Sequence, residues 1–229
     1  MKSVIEFEPS YTLLTIELAQ GESVKAEPGA MAAQQGVEMK TGMGGGGLFG
    51  GLKRALGGES FFVNTFTAGP GGGWVSLAPP TPGDIKAQEL FPGADLFIQG
   101  SSFLGCTANV ELDSKFQGLR GLVSGESVFF LRAYSADGAG TVYYNSFGAI
   151  KELRVEPGQE LVVDTGHVVA FTNDVQYSIG KVGGIGSLIA GGEGLVLKFS
   201  GNGSVWVQTR KLESLMDKLT PFLPKTKGG

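Results

Sequence analysis

The sequence lacks several side chains and segments on which common functions depend. Among its 229 residues there is one cysteine, Cys106, and one histidine, His167. A lone cysteine excludes an internal disulfide and a cysteine-cluster zinc site, and a lone histidine excludes a histidine-rich one. No run approaches the roughly 18 apolar residues of a membrane-spanning helix. The N-terminus also lacks the apolar core of a signal peptide. We therefore expect a soluble cytoplasmic protein.

Charge is also scarce. Charged residues make up 17% of the chain, the formal net charge is −4, and no long basic run is present. Binding to a nucleic-acid backbone needs clustered positive charge, so we expect no nucleic-acid partner. Glycine, in contrast, is abundant at 39 residues. Without a collagen period, that content indicates many tight turns between strands.

One short pattern occurs three times. Gly-Glu followed by an apolar strand begins at Gly58, Gly125 and Gly192, so the glutamates Glu59, Glu126 and Glu193 are each 67 residues apart. A constant period of this size predicts three copies of one supersecondary unit. We place the copies at residues 1–78, 79–148 and 149–210 of a single domain spanning 1–229.

Each copy has the period-two alternation of β-strands, interrupted by glycine turns. Gly36, Asn109 and Asp174 occupy one repeated turn position, and all three residue types tolerate positive φ. Trp74 and Trp206 lie on corresponding hairpin strands, with Tyr143 or Tyr144 in the middle copy, and are interpreted as core residues. The pattern changes to helical spacing in the tail, which predicts a helix over 211–220 ended by Pro221.

Several motifs resemble a known family. They are Gly50-Gly51-Leu52-Lys53-Arg54-Ala55-Leu56-Gly57-Gly58-Glu59-Ser60-Phe61-Phe62, Asp164-Thr165-Gly166-His167-Val168-Val169-Ala170-Phe171 and Phe91-Pro92-Gly93. The chain resembles the bacterial and archaeal members of the altered-inheritance-of-mitochondria protein 24 family from about Phe7 to Arg210. The resemblance implies an all-β fold like that of the tryptophan RNA-binding attenuation protein, with three β-sandwich-like modules about a pseudo-threefold axis. It implies no settled activity, and a fold relation alone does not transfer RNA binding.

Glycine-rich apolar connectors join the two halves of each copy, and the first is the longest. Its candidate interaction surface comprises Leu48, Phe49, Leu52, Lys53, Arg54 and Leu56. Two interpretations stay open, because the connectors either bury one another at the axis or present an apolar patch to a partner. A nucleotide-binding P-loop is not indicated, since the connector has no Gly-Lys-Ser/Thr triplet.

The three repeated glutamates could form a carboxylate ring for a hard cation, but contacts with neighbouring backbone or basic groups are the default interpretation. His167 follows the Gly166 turn and is interpreted as structural, because no nucleophile-elbow motif accompanies it. We therefore expect no enzyme activity, no cofactor and no metal.

The sequence favours a non-enzymatic scaffold or interaction protein that uses the connector face to contact a protein partner or a membrane surface. The alternative is a small-ligand-binding protein with its site between the β modules. Homo-oligomerisation through a sheet edge or the C-terminal helix is compatible with either function.

Overall fold

The computed structural model describes residues 1–43, 62–113, 129–181 and 195–224. These residues form nineteen strands and one α-helix. The first seven strands are β1 Lys2–Glu6, β2 Leu13–Leu18, β3 Ser23–Ala26, β4 Met31–Gln35, β5 Val37–Met43, β6 Phe62–Ala68 and β7 Gly73–Leu77. The next six are β8 Ile85–Leu90, β9 Leu96–Gln99, β10 Phe103–Thr107, β11 Val110–Asp113, β12 Phe130–Ser135 and β13 Gly140–Asn145. The last six are β14 Ile150–Val155, β15 Leu161–Asp164, β16 Val168–Thr172, β17 Val175–Lys181, β18 Leu195–Gly201 and β19 Gly203–Gln208.

Two sheets of six strands have the same pairing order. One runs β5-β6-β3-β10-β13-β8 and the other runs β11-β12-β9-β16-β19-β14. The remaining strands form a four-stranded sheet, β1-β2-β7-β4, and a three-stranded sheet, β15-β18-β17. All the strand ladders are antiparallel. The predicted all-β fold with a C-terminal helix is confirmed, while the pseudo-threefold axis and the repeat boundaries stay predictions.

Two junctions between distant parts of the chain hold the large sheets together. β10 pairs with β3, where Gly105 lies opposite Ala26, and β16 pairs with β9, where Ala170 lies opposite Ile98. Four of the five residues in β10 and in β16 are buried. Strands covered on both faces need continuous apolar runs, and the sequences Phe-Leu-Gly-Cys and Val-Val-Ala-Phe satisfy that need.

The described residues form three core clusters of buried side chains. The first two are centred on Leu14, Ile16 and Phe66 and on Ile98, Phe103 and Tyr144. In the third, Phe171 stacks on Phe97 with ring centroids 5.1 Å apart and meets Phe130 edge-on at 5.0 Å. Offset and edge-on ring contacts of this kind stabilise a core beyond the area that they bury.

Two expectations about corresponding positions need correction. Trp206, Tyr143 and Tyr144 are buried, but Trp74 is only half-buried and its Nε1 donates a 3.2 Å hydrogen bond to Oε1 of Gln35. Strand register places Trp206 opposite the small residue Ala170, whereas Trp74 pairs with Gln35 near the strand end. The two tryptophans therefore occupy different positions, a difference that spacing along the chain does not reveal.

The repeated turn residues also differ in backbone conformation. Gly36 has a φ of 70° and is the single residue between β4 and β5. Asn109 and Asp174 each belong to a two-residue turn and have no positive φ. The additional residue lets these two turns close with ordinary backbone angles, so glycine is needed only at position 36.

We predict that Gly105→Val lowers the free energy of unfolding by about 1–3 kcal/mol. A Cβ atom at position 105 would lie 2.9 Å from the carbonyl oxygen of Lys25 and 3.3 Å from Cδ1 of Leu77, so the β3–β10 junction must shift. Denaturant unfolding measures the loss. Gly42→Val in β5 is the matched control, because a Cβ atom there meets nothing within 4 Å. Equal losses in the two variants would contradict this account of the junction.

Candidate functional site: the exposed apolar face of the C-terminal helix

The connector prediction lies outside the described residues. This applies to Leu48, Phe49, Leu52, Lys53, Arg54 and Leu56, and equally to Glu59, Glu126 and Glu193. Their interpretation as an interaction surface and as a set of repeated carboxylates stays a prediction. The site that the structure does describe is at the C-terminus.

The C-terminal helix, α1, spans Leu212–Leu219 and continues into a 3₁₀ turn at Thr220–Phe222. Glu213 is in the first turn and Lys218 in the last, so both charges complement the helix dipole. The Thr220 hydroxyl donates a 2.7 Å hydrogen bond to the carbonyl of Met216 and so satisfies one of the last carbonyl groups. These local interactions favour a helix that has little tertiary support.

An ion pair fixes the base of α1 to the β-sheet fold. Nζ of Lys211 lies 3.1 Å from Oδ2 of Asp164, the last residue of β15. Both side chains are mostly buried, and Asp164 also accepts a hydrogen bond from the Gly166 amide at 2.8 Å. The helix therefore leaves the body of the protein beside the end of β15.

The apolar face of α1 is exposed along its whole length. Residues at positions i, i+3, i+4 and i+7 share one side of a helix, and here all four are apolar. No residue of α1 is buried, and the exposed fractions of the four are 40–46% (Leu212, Leu215, Met216 and Leu219). Phe222 and Leu223 extend the apolar surface with exposed fractions of 86% and 54%. We call these six residues the C-terminal apolar face.

Cys106 and His167, the one cysteine and the one histidine of the chain, both lie in structural environments. Cys106 is completely buried, and burial raises the pKa of its thiol to about 12, so it stays protonated and poorly nucleophilic. Nδ1 of His167 donates a 2.7 Å hydrogen bond to the carbonyl of Gln208, as expected of a structural histidine. Across the four described ranges, no group of three or more histidine, cysteine or acidic residues is arranged to hold a metal.

An open groove of about 720 Å³ lies on the four-stranded sheet. Trp74, Glu17, Gln20 and Gln35 line it together with the glycine turn at 71–73. The strands concerned, β2, β4 and β7, belong to one sheet, so this groove is not a cavity between β modules. It lends no support to the alternative ligand site predicted from the sequence.

Strand register identifies a polar position that spacing alone missed. Glu27, Gln99 and Asp164 occupy the same place at or just beyond the ends of β3, β9 and β15. Burial raises the pKa of Glu27 to about 7, and Asp164 holds Lys211. Oε1 of Gln99 is buried and has no hydrogen-bond partner among the described residues. A short strand that ends at, or is followed by, Glu, Gln or Asp was the available signal, but the uncharged Gln99 differs from the other two.

A model of the mitochondrial biogenesis AIM24 family matches residues 4–210. The chain belongs to this family. The family match ends just before α1 begins at Leu212. No α-helix within the described part of the chain is both long enough and apolar enough to cross a bilayer.

Two streptococcal proteins are similar to almost the whole of this AIM24-family protein. An uncharacterised protein of Streptococcus pyogenes serotype M6 is 31% identical over 233 residues, which cover 98% of this chain and 92% of that protein. The crystal structure of another Streptococcus pyogenes protein superposes with a TM-score of 0.78 at 30% identity. That match covers 97% of this chain and 99% of the other.

We predict that Glu27 makes stability depend on pH. Its pKa rises from 4.5 to about 7 in the folded protein, so between these values the unfolded chain has lost a proton that the folded chain retains. The free energy of unfolding should therefore fall as pH rises through this window, by roughly 1–3 kcal/mol, and then level off. Denaturant unfolding at several pH values, with Glu27→Gln and the exposed-site control Glu17→Gln, measures the effect. If Glu27→Gln keeps the wild-type slope, another group causes it.

Proposed function

We propose that the protein is a non-enzymatic interaction protein of the cytoplasm whose C-terminal apolar face docks into an apolar groove of a protein partner. The observation that carries the proposal is the exposure of every residue of α1, including Leu212, Leu215, Met216 and Leu219. An exposed apolar patch of this kind on a folded protein is typical of an interaction surface.

The spacing of the exposed residues fits helix-in-groove recognition. In that mode an amphipathic helix inserts apolar side chains at i, i+3, i+4 and i+7 into a hydrophobic groove. The opposite side of α1 carries Glu213, Ser214, Asp217 and Lys218, which would stay in water. The Lys211–Asp164 ion pair anchors the base of the helix, which reduces the orientational freedom lost on docking.

Charge favours a protein partner over a membrane surface. Helices that lie on bilayers usually carry several Lys or Arg residues on the polar face. The polar face of α1 has two acidic residues and one basic residue, and the whole chain has a formal net charge of −4. Within α1 itself acidic residues outnumber basic ones, so the polar face of this helix adds no attraction to anionic lipid. The predicted connector surface at Leu48–Leu56 would be a second contact region under the same proposal.

A site-specific photocrosslinker tests the docking face. We expect a photoreactive residue at Met216 to give one defined adduct with a heterologous protein in the native cell, identified by mass spectrometry. The same group at Ser214, on the opposite side of the helix, is the matched control and should give none. Adding Leu212→Asp with Leu219→Asp should reduce the Met216 adduct about tenfold or more, because anchor residues dominate such interfaces.

The variants should unfold at the wild-type temperature, because none of the altered residues is buried. Co-sedimentation with vesicles of neutral and of anionic lipid is the parallel measurement, and we expect no binding to either. Equal adducts from positions 214 and 216 would refute the docking face. Vesicle binding that requires Leu212 and Leu219 would instead assign the face to a membrane.

A further inference from the structure

Among the described strands, two sheet edges lack the pairing that the equivalent strands make elsewhere in the molecule. Each six-stranded sheet contains one junction, β3–β10 or β9–β16. By the same order, the third sheet would run β17-β18-β15-β4-β7-β2. In the structure this arrangement is divided, because β15 ends one sheet and β4 ends another. We propose that two copies of the chain close this junction reciprocally, β4 of each copy pairing with β15 of the other in a twofold-symmetric dimer.

The two formed junctions specify the register of the proposed one. Within its own sheet, Ala33 lies opposite Ser76, as Gly105 lies opposite Tyr143 and Ala170 opposite Trp206. Similarly, Leu161 lies opposite Phe199, as Val24 lies opposite Phe66 and Leu96 opposite Ala133. Transferring the observed pairs gives three new ones. They are Ala33 with Val163, Gln34 with Val162 and Gln35 with Leu161.

Side-chain size at the edge agrees with this register. At the formed junctions the positions equivalent to Ala33 are Gly105 and Ala170, both small. The reason at Gly105 is steric, because a Cβ atom there would lie 2.9 Å from the carbonyl oxygen of Lys25 across the junction. The three β4-type strands share a bulge just before this position, between Met31 and Ala33, Phe103 and Gly105, and Val168 and Ala170. β4 therefore has the local geometry of a junction strand.

The amino-acid composition of β4 is typical of an edge strand to which another strand can be added. Edge strands that stay unpaired are usually protected by charges, by proline or by a cover. β4 reads Met-Ala-Ala-Gln-Gln, without charge or proline, and all five residues are exposed. On β15 the side chain of Val162 is also exposed, with an exposed fraction of 46%. Within one chain, β15 does not pair with β4. In the twofold dimer, β15 of each copy pairs with β4 of the other, so no β4 or β15 edge stays open.

Mixed single-cysteine variants test the reciprocal pairing. Gln34→Cys and Val162→Cys chains are purified, mixed, and treated with a short bifunctional thiol reagent. We expect a linked dimer containing one chain of each variant, because cross-strand neighbours bring their Cβ atoms to about 4.5–5.5 Å. The native Cys106 should not react, since it is completely buried. Each variant alone should give no linked dimer, because the two copies of Gln34 lie at separate junctions.

Ala87→Cys on β8 is the matched control, because β8 is also an exposed edge strand. It should not link to Val162→Cys. A linked species from Gln34→Cys alone would overturn the proposed register in favour of β4–β4 pairing. A chain that carries both Gln34→Cys and Val162→Cys tests closure within one chain. If this double variant links only to itself, and the mixed single variants do not link, the junction closes internally and the dimer proposal is wrong.

Light scattering with a charged variant gives an independent readout. We expect wild type to have twice the mass of the 23.8 kDa chain. Ala33→Arg should give a folded monomer, since position 33 is exposed in the single chain but confined at the proposed junction. Ala87→Arg should stay dimeric. A monomeric wild type, or open-ended assembly, would refute the reciprocal dimer. The helix variants that test the partner surface should leave this mass unchanged, so the two proposals can fail separately.

Discussion

The architecture depends on main-chain pairing between strands that are far apart in the sequence. β10 with β3 and β16 with β9 join hairpins that would otherwise be separate sheets. Each junction places a nearly fully buried strand at the centre of six, so the core clusters can form around it. Long-range pairing of this kind costs loop-closure entropy before it brings any stabilisation. The small residues Gly105 and Ala170 let the two strands of each junction approach closely. Burial of the neighbouring apolar side chains then offsets the entropy cost.

The same constraint explains the difference between β4 and its counterparts. β10 and β16 are mostly apolar and buried, whereas β4, a strand of the same length, ends in two glutamines and is exposed. Two glutamines can tolerate water when the edge is free and can still donate and accept hydrogen bonds when a strand is added. A strongly apolar β4 would make the free chain prone to aggregation, and a charged one would prevent pairing. Its composition therefore fits an edge that is open in one chain and filled in an assembly.

Sequence reasoning predicted what depends on local pattern and missed what depends on register. Alternation and glycine turns predicted strands such as Leu13–Leu18, and the four apolar residues at helical spacing predicted α1. The predicted correspondence of Trp74 and Trp206 was wrong, because the turns that precede β7 and β19 differ in length and the two residues take different positions in the register. The perturbed pKa of Glu27 was missed for the same reason, since burial at a strand end follows from which strands meet there. The strand patterns do not indicate that one of three similar junctions is left open, because each pattern alone is compatible with pairing.

The two proposed surfaces lie close to each other in the fold. β15 ends at Asp164, whose carboxylate holds Lys211 at the base of α1, so a strand added at β15 would lie near the root of the helix. A twofold dimer built this way would present two C-terminal apolar faces instead of one. When a partner offers two grooves, the second docking event becomes intramolecular, and overall affinity rises without any new contact. An apolar face of only six residues would then suffice for stable binding, although one such helix alone would bind weakly. Self-association and partner binding would in this way use different residues, and dimer formation would still strengthen partner binding.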